Sequence, residues 1–394
     1  MSRLLGIDRE AVRAAAAGVR RGEELDDDAA AEVFARGAWT GLVEPGDRVA
    51  GALVTAYGAA AALDATRTGA LPALPEVAAA TDRWAPRLEA QLALRAFRNA
   101  AHLGARLVLP GDADWPDRLG DLGHHTPIAL WCLGAPERLT AVQRSIALVG
   151  ARASSGYGER LATEASAGLA DRGFAIVSGA AYGIDGVAHR AALASGGTTI
   201  AVLAGGLDRF YPAGHVQLLT RIAREGAVVA ELPPGFAPTR WRFLQRNRVI
   251  AALAQATVVI EAGARSGSLN TAAHAGSIGR PVGAAPGSVF SATSAGCHRL
   301  LREFGAVCVR DAADMAELVT GPGEQVPLEG LHLDRAGDPT EQRVLDALTG
   351  RPRPVVEIAR GSGLSVADAL GALGMLQLTG AARETTGGWA RGRA

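Results

Sequence analysis

Apolar positions divide the chain into three stretches with different periods. Residues 1 to about 105 carry Ala and Leu at helical spacing with few β-branched runs, which predicts a helical N-terminal domain. Within it, the acidic run Glu23-Glu24-Leu25-Asp26-Asp27-Asp28 predicts a helix start or a solvated face. From about 106 to 320 the pattern changes. Short apolar runs at 146–149, 174–177, 199–203, 227–230, 256–260 and 306–309 alternate with segments of helical period, such as Leu161, Ala165 and Leu169. Each run is apolar throughout, as a strand covered on both faces is. The alternation predicts an α/β domain with a Rossmann-like, doubly wound, mainly parallel sheet. Residues 321–339 hold Gly321-Pro322-Gly323 and little apolar pattern, which predicts a linker. Residues 340–394 predict a small unit of three helices and a hairpin. The helices fall at 340–348, from 354, and at 366–378 behind a Ser365 cap; Gly380 closes the third. The hairpin strands fall near 381–384 and 387–390.

Composition changes this picture in three ways. Forty basic residues balance forty acidic ones, so a polyanion site must be a local patch. The chain contains no lysine, which excludes a Walker A phosphate loop and any Schiff-base chemistry. Cys132, Cys297 and Cys308 are odd in number and scattered, and read as reduced core residues rather than disulfides or metal ligands. The N-terminus has no apolar signal region and no apolar run reaches membrane-spanning length, so a cytoplasmic protein with no membrane partner is expected.

The densest candidate chemistry is Arg240-Trp241-Arg242-Phe243-Leu244-Gln245-Arg246-Asn247-Arg248, followed one strand later by the loop 263–271 with Ser266, Gly267, Ser268 and Leu269. Guanidinium forks grip phosphate and ring faces stack on bases, so the combination suits single-stranded nucleic acid. The alternative is an amphipathic helix with Trp241 and Phe243 buried and its arginines solvated. Helix geometry puts Arg242 and Arg246 on one face and Arg248 about 200° from Arg246. Arg246 is therefore expected toward a ligand and Arg248 toward the protein, bracing a loop or a carboxylate.

Strand ends supply further candidates. The turn Val149-Gly150-Ala151-Arg152-Ala153-Ser154-Ser155 lacks the dinucleotide fingerprint but sets Arg152 and two hydroxyls before a helix, a possible phosphate seat. An ordinary turn with Arg152 solvated is the alternative. Asp185 and His189 share a helix face and could form an acid–base pair, although capping is the commoner job of an Asp at a helix start. Asp208 reads as a turn residue.

These segments resemble the DNA-processing protein A family (DprA/Smf). The turn 149–152, the stretches 178–189 and 205–212, Arg246-Asn247-Arg248, Ser266-Gly267-Ser268-Leu269, Pro286-Gly287-Ser288, 294–296 and Gly305-Ala306 fall in its order and spacing. The resemblance implies a variable helical N-terminal domain and a C-terminal winged helix. It also implies a homodimer that binds single-stranded DNA without ATP, shields it during natural transformation and helps load the recombinase RecA. Carried over by motif, the DNA-contacting residues are Gly150, Ala151, Arg152, Phe243, Gln245, Arg246, Asn247, Ser266, Ser268 and Leu269, and the hydroxyl of Ser155 joins them. No catalytic residue, cofactor or metal is expected. Ala151 stands where the family usually has a hydroxyl, Tyr182 replaces a frequent arginine, and Leu244 a common proline. With fewer charges, a shallower salt dependence than a lysine-rich relative shows is expected. The dimer surface is sought in the apolar segment 297–304.

Two other classes fit the architecture. A nucleotide N-ribohydrolase-like enzyme needs a catalytic Glu where Thr271 stands, and Thr does no acid–base work near neutral pH. A winged-helix transcriptional regulator needs a basic reading helix, but residues 366–378 hold Asp368 and Gln377 and no arginine. A protein-contact or accessory role suits the C-terminal unit better.

Overall fold

The apolar runs of the middle region become strands because alternate side chains find a helical layer on each face. In a computed structural model, the structure describes residues 3–320 and 338–392. The predicted linker lies outside the described residues except for its last two positions. After a short ribbon (β1, Arg3–Leu4; β2, Ile7–Asp8), the sheet strands are β3 (Arg106–Val108), β4 (Leu130–Gly134), β5 (Ser145–Gly150), β6 (Ala175–Ser178) and β7 (Thr199–Leu203). They continue with β8 (Ala227–Ala230), β9 (Ala256–Glu261), β10 (Val282–Ala284) and β11 (Val307–Cys308). Their order is β11-β10-β9-β5-β6-β7-β8-β4-β3. Strands β5 to β11 run parallel; β4 and β3 extend one edge antiparallel. The chain winds from β5 outward through β6, β7 and β8, then returns to β9 on the other side of β5. That reversal opens a crevice beyond the carboxyl ends of β5 and β9.

Helices α7 (Gly156–Asp171), α8 (Ile184–Ala194), α9 (Val216–Glu225) and α13 (Ala312–Thr320) cover one face. The other face carries α10 (Arg240–Leu253), α11 (Ser268–Ser277) and α12 (Ala295–Glu303). Strand β4 shows the two-residue period: Leu130 and Cys132 join the α10 side, whereas Trp131 joins the α9 side.

The helical N-terminal region comprises α1 (Arg9–Val19), α2 (Asp27–Leu42), α3 (Arg48–Tyr57), α4 (Ala59–Thr68), α5 (Pro75–Trp84) and α6 (Ala90–Leu103). The acidic run is a helix start: Asp26 caps α2 by accepting from the Ala29 N–H at 2.8 Å. Trp131 docks this region on the sheet, with its ring 5.5 Å from Phe97 and its Nε1–H donating to Thr40 Oγ1 at 3.0 Å. Among the described residues no single helix is long and apolar enough to cross a membrane.

The C-terminal unit folds as the hydrophobic pattern requires. Helices α14 (Pro339–Ala347), α15 (Val355–Ser362) and α16 (Val366–Leu378) precede the antiparallel wing β12 (Ala382–Thr385) and β13 (Gly388–Arg391). Ser365 caps α16 through the Asp368 N–H at 3.1 Å.

Three expectations need correction. Cys308 is exposed on the edge strand β11, while Cys132 and Cys297 are buried as expected. The segment 297–304 spends its apolar side chains inward: Cys297 and Leu300 join the core, and Leu301 and Phe304 pack against it. The run 306–309 forms only a two-residue strand.

One buried carboxylate ties the three regions together. Glu44, just past α2, accepts from Arg242 Nε at 3.0 Å and Nη2 at 2.7 Å, and from Arg87 Nη2 at 2.6 Å. Arg87 Nε in turn donates to the Arg360 carbonyl at 2.8 Å in the C-terminal unit. Burial alone would raise the Glu44 carboxyl, but Arg242 and Arg87 outweigh it and hold it well below the ordinary carboxylate range. Removing the anion strands buried guanidinium groups, a cost of about 3–5 kcal/mol. Glu44→Gln is therefore expected to lower the melting temperature markedly at neutral pH. Because the folded value is depressed, this stability is present above the ordinary value of 4.5 and is lost as pH falls toward the folded one. Thermal melts of both proteins from pH 7 downward should show the gap closing below about pH 4.5; a gap that stays constant refutes the charge-based account.

Candidate functional site

Helix α10 starts where Thr239 caps it, its side chain accepting from the Arg242 N–H at 3.2 Å. Its burial inverts the amphipathic alternative. Arg242, Arg246 and Arg248 are only 4%, 6% and 3% exposed, whereas Trp241, Phe243, Leu244 and Gln245 are half-buried and face a cleft. Each guanidinium is buried against a dedicated acceptor set. Arg242 meets Glu44 and the Ala237 carbonyl at 2.7 Å. Arg248 meets Glu231, which also accepts from the Gly46 N–H at 3.1 Å. Arg248 therefore braces a carboxylate and a loop, as helix geometry predicts.

Arg246 donates through Nη1 to the Gly179 carbonyl at 2.8 Å and to the Val202 carbonyl, tying the ends of β6 and β7. Burial lowers its pKa to about 10, with Asp185 opposing the shift, so the charge persists at neutral pH. Gly179 is required here, because a Cβ would sit 2.4–2.6 Å from the Arg246 guanidinium. The next residue, Ala180, holds a left-handed φ of 54°. Asp185 steadies that turn by accepting from the Gly179 and Ala181 N–H groups at 3.2 and 3.4 Å. Burial raises the Asp185 carboxyl, against the pull of Arg246.

The Asp185–His189 pair is not a catalytic dyad. His189 Nδ1 lies 2.7 Å from Thr199 Oγ1, which itself donates to the Ile176 carbonyl, and burial lowers the imidazole to about 3. His189 is a fully buried core residue whose ring bonds to Thr199, whereas Asp185 bonds to the Gly179 and Ala181 amides. Asp208 is a turn residue as expected, accepting from the Gly235 N–H at 2.8 Å.

The phosphate seat at the start of α7 is already filled. Glu261, at the end of β9, places its carboxylate against the Ser155 N–H at 2.8 Å and the Ser155 hydroxyl at 2.6 Å. Ser155 also caps α7 through the Gly158 N–H at 3.2 Å. An internal anion thus uses the helix N-terminus, and Ser155 is occupied by the fold. No signal in the sequence marks Glu261 for this task.

Arg152 is exposed, yet it is not merely solvated. Its guanidinium lies 4.9 Å from the centre of the Phe243 ring, and that of Arg246 lies 5.7 Å from the same ring. Tyr211 approaches Phe243 at 5.4 Å. These groups occupy one wall of a cleft of about 1090 Å³ at the crevice between β5 and β9. Gly150, Ala151, Arg152, Phe243, Gln245, Arg246, Asn247, Ser266 and Ser268 all line it. Ser155 and Leu269 do not; Leu269 is 1% exposed and belongs to the core. Asn247 fixes the opposite rim, donating to the Gly267 carbonyl at 3.3 Å and to Asn270 Oδ1 at 3.2 Å.

Five arginines and two aspartates line the cleft, so it is cationic although the chain is neutral. Arg265 and Arg299 are contributors that motif reading passes over; Arg265 was visible within the Gly/Ser loop, whereas Arg299 carries no local signal. Tyr182 stands outside the cleft, its ring 4.9 Å from His215.

Residues 106–320 match the family model described as DNA recombination-mediator protein A, and residues 332–388 match the DprA winged helix domain. A putative DNA processing protein DprA of Mycobacterium tuberculosis is 50% identical over 302 residues, covering 73% of this chain and 77% of the relative. The DNA processing protein A of Streptococcus pneumoniae superposes with a TM-score of 0.55 at 30% identity, over 72% of this chain and 96% of that one. That of Helicobacter pylori, known for a single-stranded DNA binding mode, gives 0.50 at 26% identity over 56% and 97%. The ordered motifs, the sheet that gathers them into one cleft and the match over residues 106–320 place this chain in the DNA recombination-mediator protein A (DprA) family.

Proposed function

We propose that the cleft binds single-stranded DNA, without ATP hydrolysis and with little sequence preference. In this reading the protein is a cytoplasmic homodimer that protects the strand and promotes RecA loading during natural transformation or recombination. The convergence of Arg152 and Arg246 on the Phe243 ring carries the proposal. An exposed guanidinium meets phosphate, a ring offers a face to any base, and a buried charge adds a fixed field from the floor. The single-stranded DNA binding of the Helicobacter relative, a member of the same family, agrees with it. A non-enzymatic role fits the engagement of Asp185 and His189 with different partners and the burial of Thr271 within α11. For the homodimer, the open sheet edge at β11, where Val307 is half exposed, is an available surface.

The winged helix has an accessory part in this reading. Helix α16 exposes Leu370, Met375 and Leu378 rather than basic side chains, so it lacks the means to read a duplex.

Gel shift without ATP tests the proposal. Labelled oligo-dT should be retained in preference to duplex, and Arg152→Ala should weaken that binding while leaving the melting temperature unchanged. The log–log salt slope should shrink by about 0.7 for the lost phosphate contact. Equal retention of duplex, or wild-type affinity in Arg152→Ala, defeats the reading.

A second comparison separates the two buried arginines. Arg248→Ala leaves Glu231 without its cationic partner and should lower stability by about 3 kcal/mol with little change in DNA affinity per folded molecule. Arg246→Ala should lower both. Anisotropy titrations and melts of the two variants decide the matter; an equal loss of affinity in both removes the division of labour.

A further inference from the structure

A second cavity, of about 350 Å³, lies across α10 from the main cleft. It forms where the turn after α2, helix α5 and the C-terminal unit meet α10. Trp241 and Gln245 line both spaces. Four residues apart, they share one helix face and make a common wall. A polynucleotide that follows the cleft past Phe243 toward the start of α10 therefore reaches this cavity at Trp241.

The cavity's chemistry repeats that of the cleft. Arg48, Arg83 and Arg343 line it, and Trp84 adds a second indole. Its two acids are already engaged. Glu44 is held by Arg242 and Arg87. Asp47 accepts from the Val49 and Ala50 N–H groups at 3.0 and 3.1 Å and from Trp84 Nε1 at 3.1 Å. Arg343 is fixed, donating to the Ser362 and Gly363 carbonyls at 2.9 and 2.6 Å beside the Trp241 ring, whereas Arg48 and Arg83 are more loosely held. Arg48 pairs with Glu76 at 2.9 Å, but both side chains are 57% exposed, and such a pair contributes little in water. Arg83 reaches Asp47 only at 3.5 Å. Guanidinium groups in these positions are free to exchange a weak carboxylate contact for a phosphate fork.

We propose that this cavity is a second subsite on the single-stranded path, built jointly by the helical N-terminal region and the winged helix. It takes a nucleotide beyond those in the main cleft, with the phosphate on Arg48 and Arg83 and the base at the Trp241 wall. The proposal rests on the single-stranded DNA reading of the cleft and extends it to the helical N-terminal region, which has no residue in the cleft itself.

Oligomer length exposes the subsite. Oligo-dT of about 6 nucleotides fits within the cleft, and one of about 20 runs past it. The double variant Arg48→Ala/Arg83→Ala should bind the short oligomer as wild type does. It should bind the long one roughly tenfold more weakly at moderate salt, with a log–log slope smaller by about 1.4 for two lost phosphate contacts. Arg48→Ala alone, whose partner Glu76 is on the surface, leaves the α3 cap intact and should show about half that change in slope. The proposal is overturned if either variant that melts like wild type keeps wild-type affinity for the long oligomer, or loses affinity for both lengths alike. A wild type that retains neither length removes the DNA reading itself, a result distinct from either.

Discussion

Three guanidinium groups buried on one helix constrain the rest of this molecule. Taking an arginine out of water costs several kcal/mol unless acceptors replace its hydration. Helix α10 meets acceptors at three points, each time from a different part of the chain: Glu44 beyond α2, the carbonyl ends of β6 and β7, and Glu231 after β8, which engages only Nη2 of Arg248. The helix cannot rotate or slide without breaking all three sets. Its aromatic and amide side chains are consequently turned outward and held there. The face that would ordinarily be solvent-exposed and polar is the anchored one, and the face that would ordinarily be core is offered to a ligand.

The crevice also departs from the usual α/β phosphate site. A helix N-terminus at a strand end is ready to hold an anion, but here Glu261 supplies the anion from within. The carboxylate stiffens the turn that carries Arg152 and occupies the Ser155 N–H and hydroxyl at the head of α7. Anion recognition at this crevice then falls mainly to side chains. Rings and guanidinium forks tolerate variation in base and in backbone position, which suits a flexible strand better than a fixed pyrophosphate. The absence of lysine belongs to the same picture, since only planar, bidentate cations remain for the task.

Most of the sheet was legible because its central strands are apolar on both faces, and β5 to β9 fall within a residue or two of the runs that mark them. Strands β3, β4 and β10 escaped notice: β3 and β10 have three residues each, and β10 contains Gly283, which gives no β-branched signal. The C-terminal unit was readable from its caps, Ser365 and Gly380. The cleft was legible as a set of motifs, and nine of its eleven carried-over residues line it. The depth of each side chain was not. Arg242 finds Glu44 at a separation of 198 residues, and Arg246 finds Gly179 at 67, so no local pattern reveals that these arginines are buried. Leu269 and Ser155 show the converse: a motif marks a position that the fold uses for packing or capping.

Buried and exposed arginines should contribute differently to binding a polyanion. An exposed guanidinium such as Arg152 is hydrated, and when it meets a phosphate it displaces condensed counterions, which is the origin of salt dependence. Arg246 is already desolvated and hydrogen-bonded to carbonyls before any ligand arrives. Its charge acts through a medium of low dielectric and is screened less by salt. The cation count of the cleft therefore overstates the number of phosphates whose counterions are released. A shallow salt dependence is then a consequence of where the charges lie in depth, as much as of how few there are. The same burial that fixes α10 in place turns part of the site's attraction into a standing field.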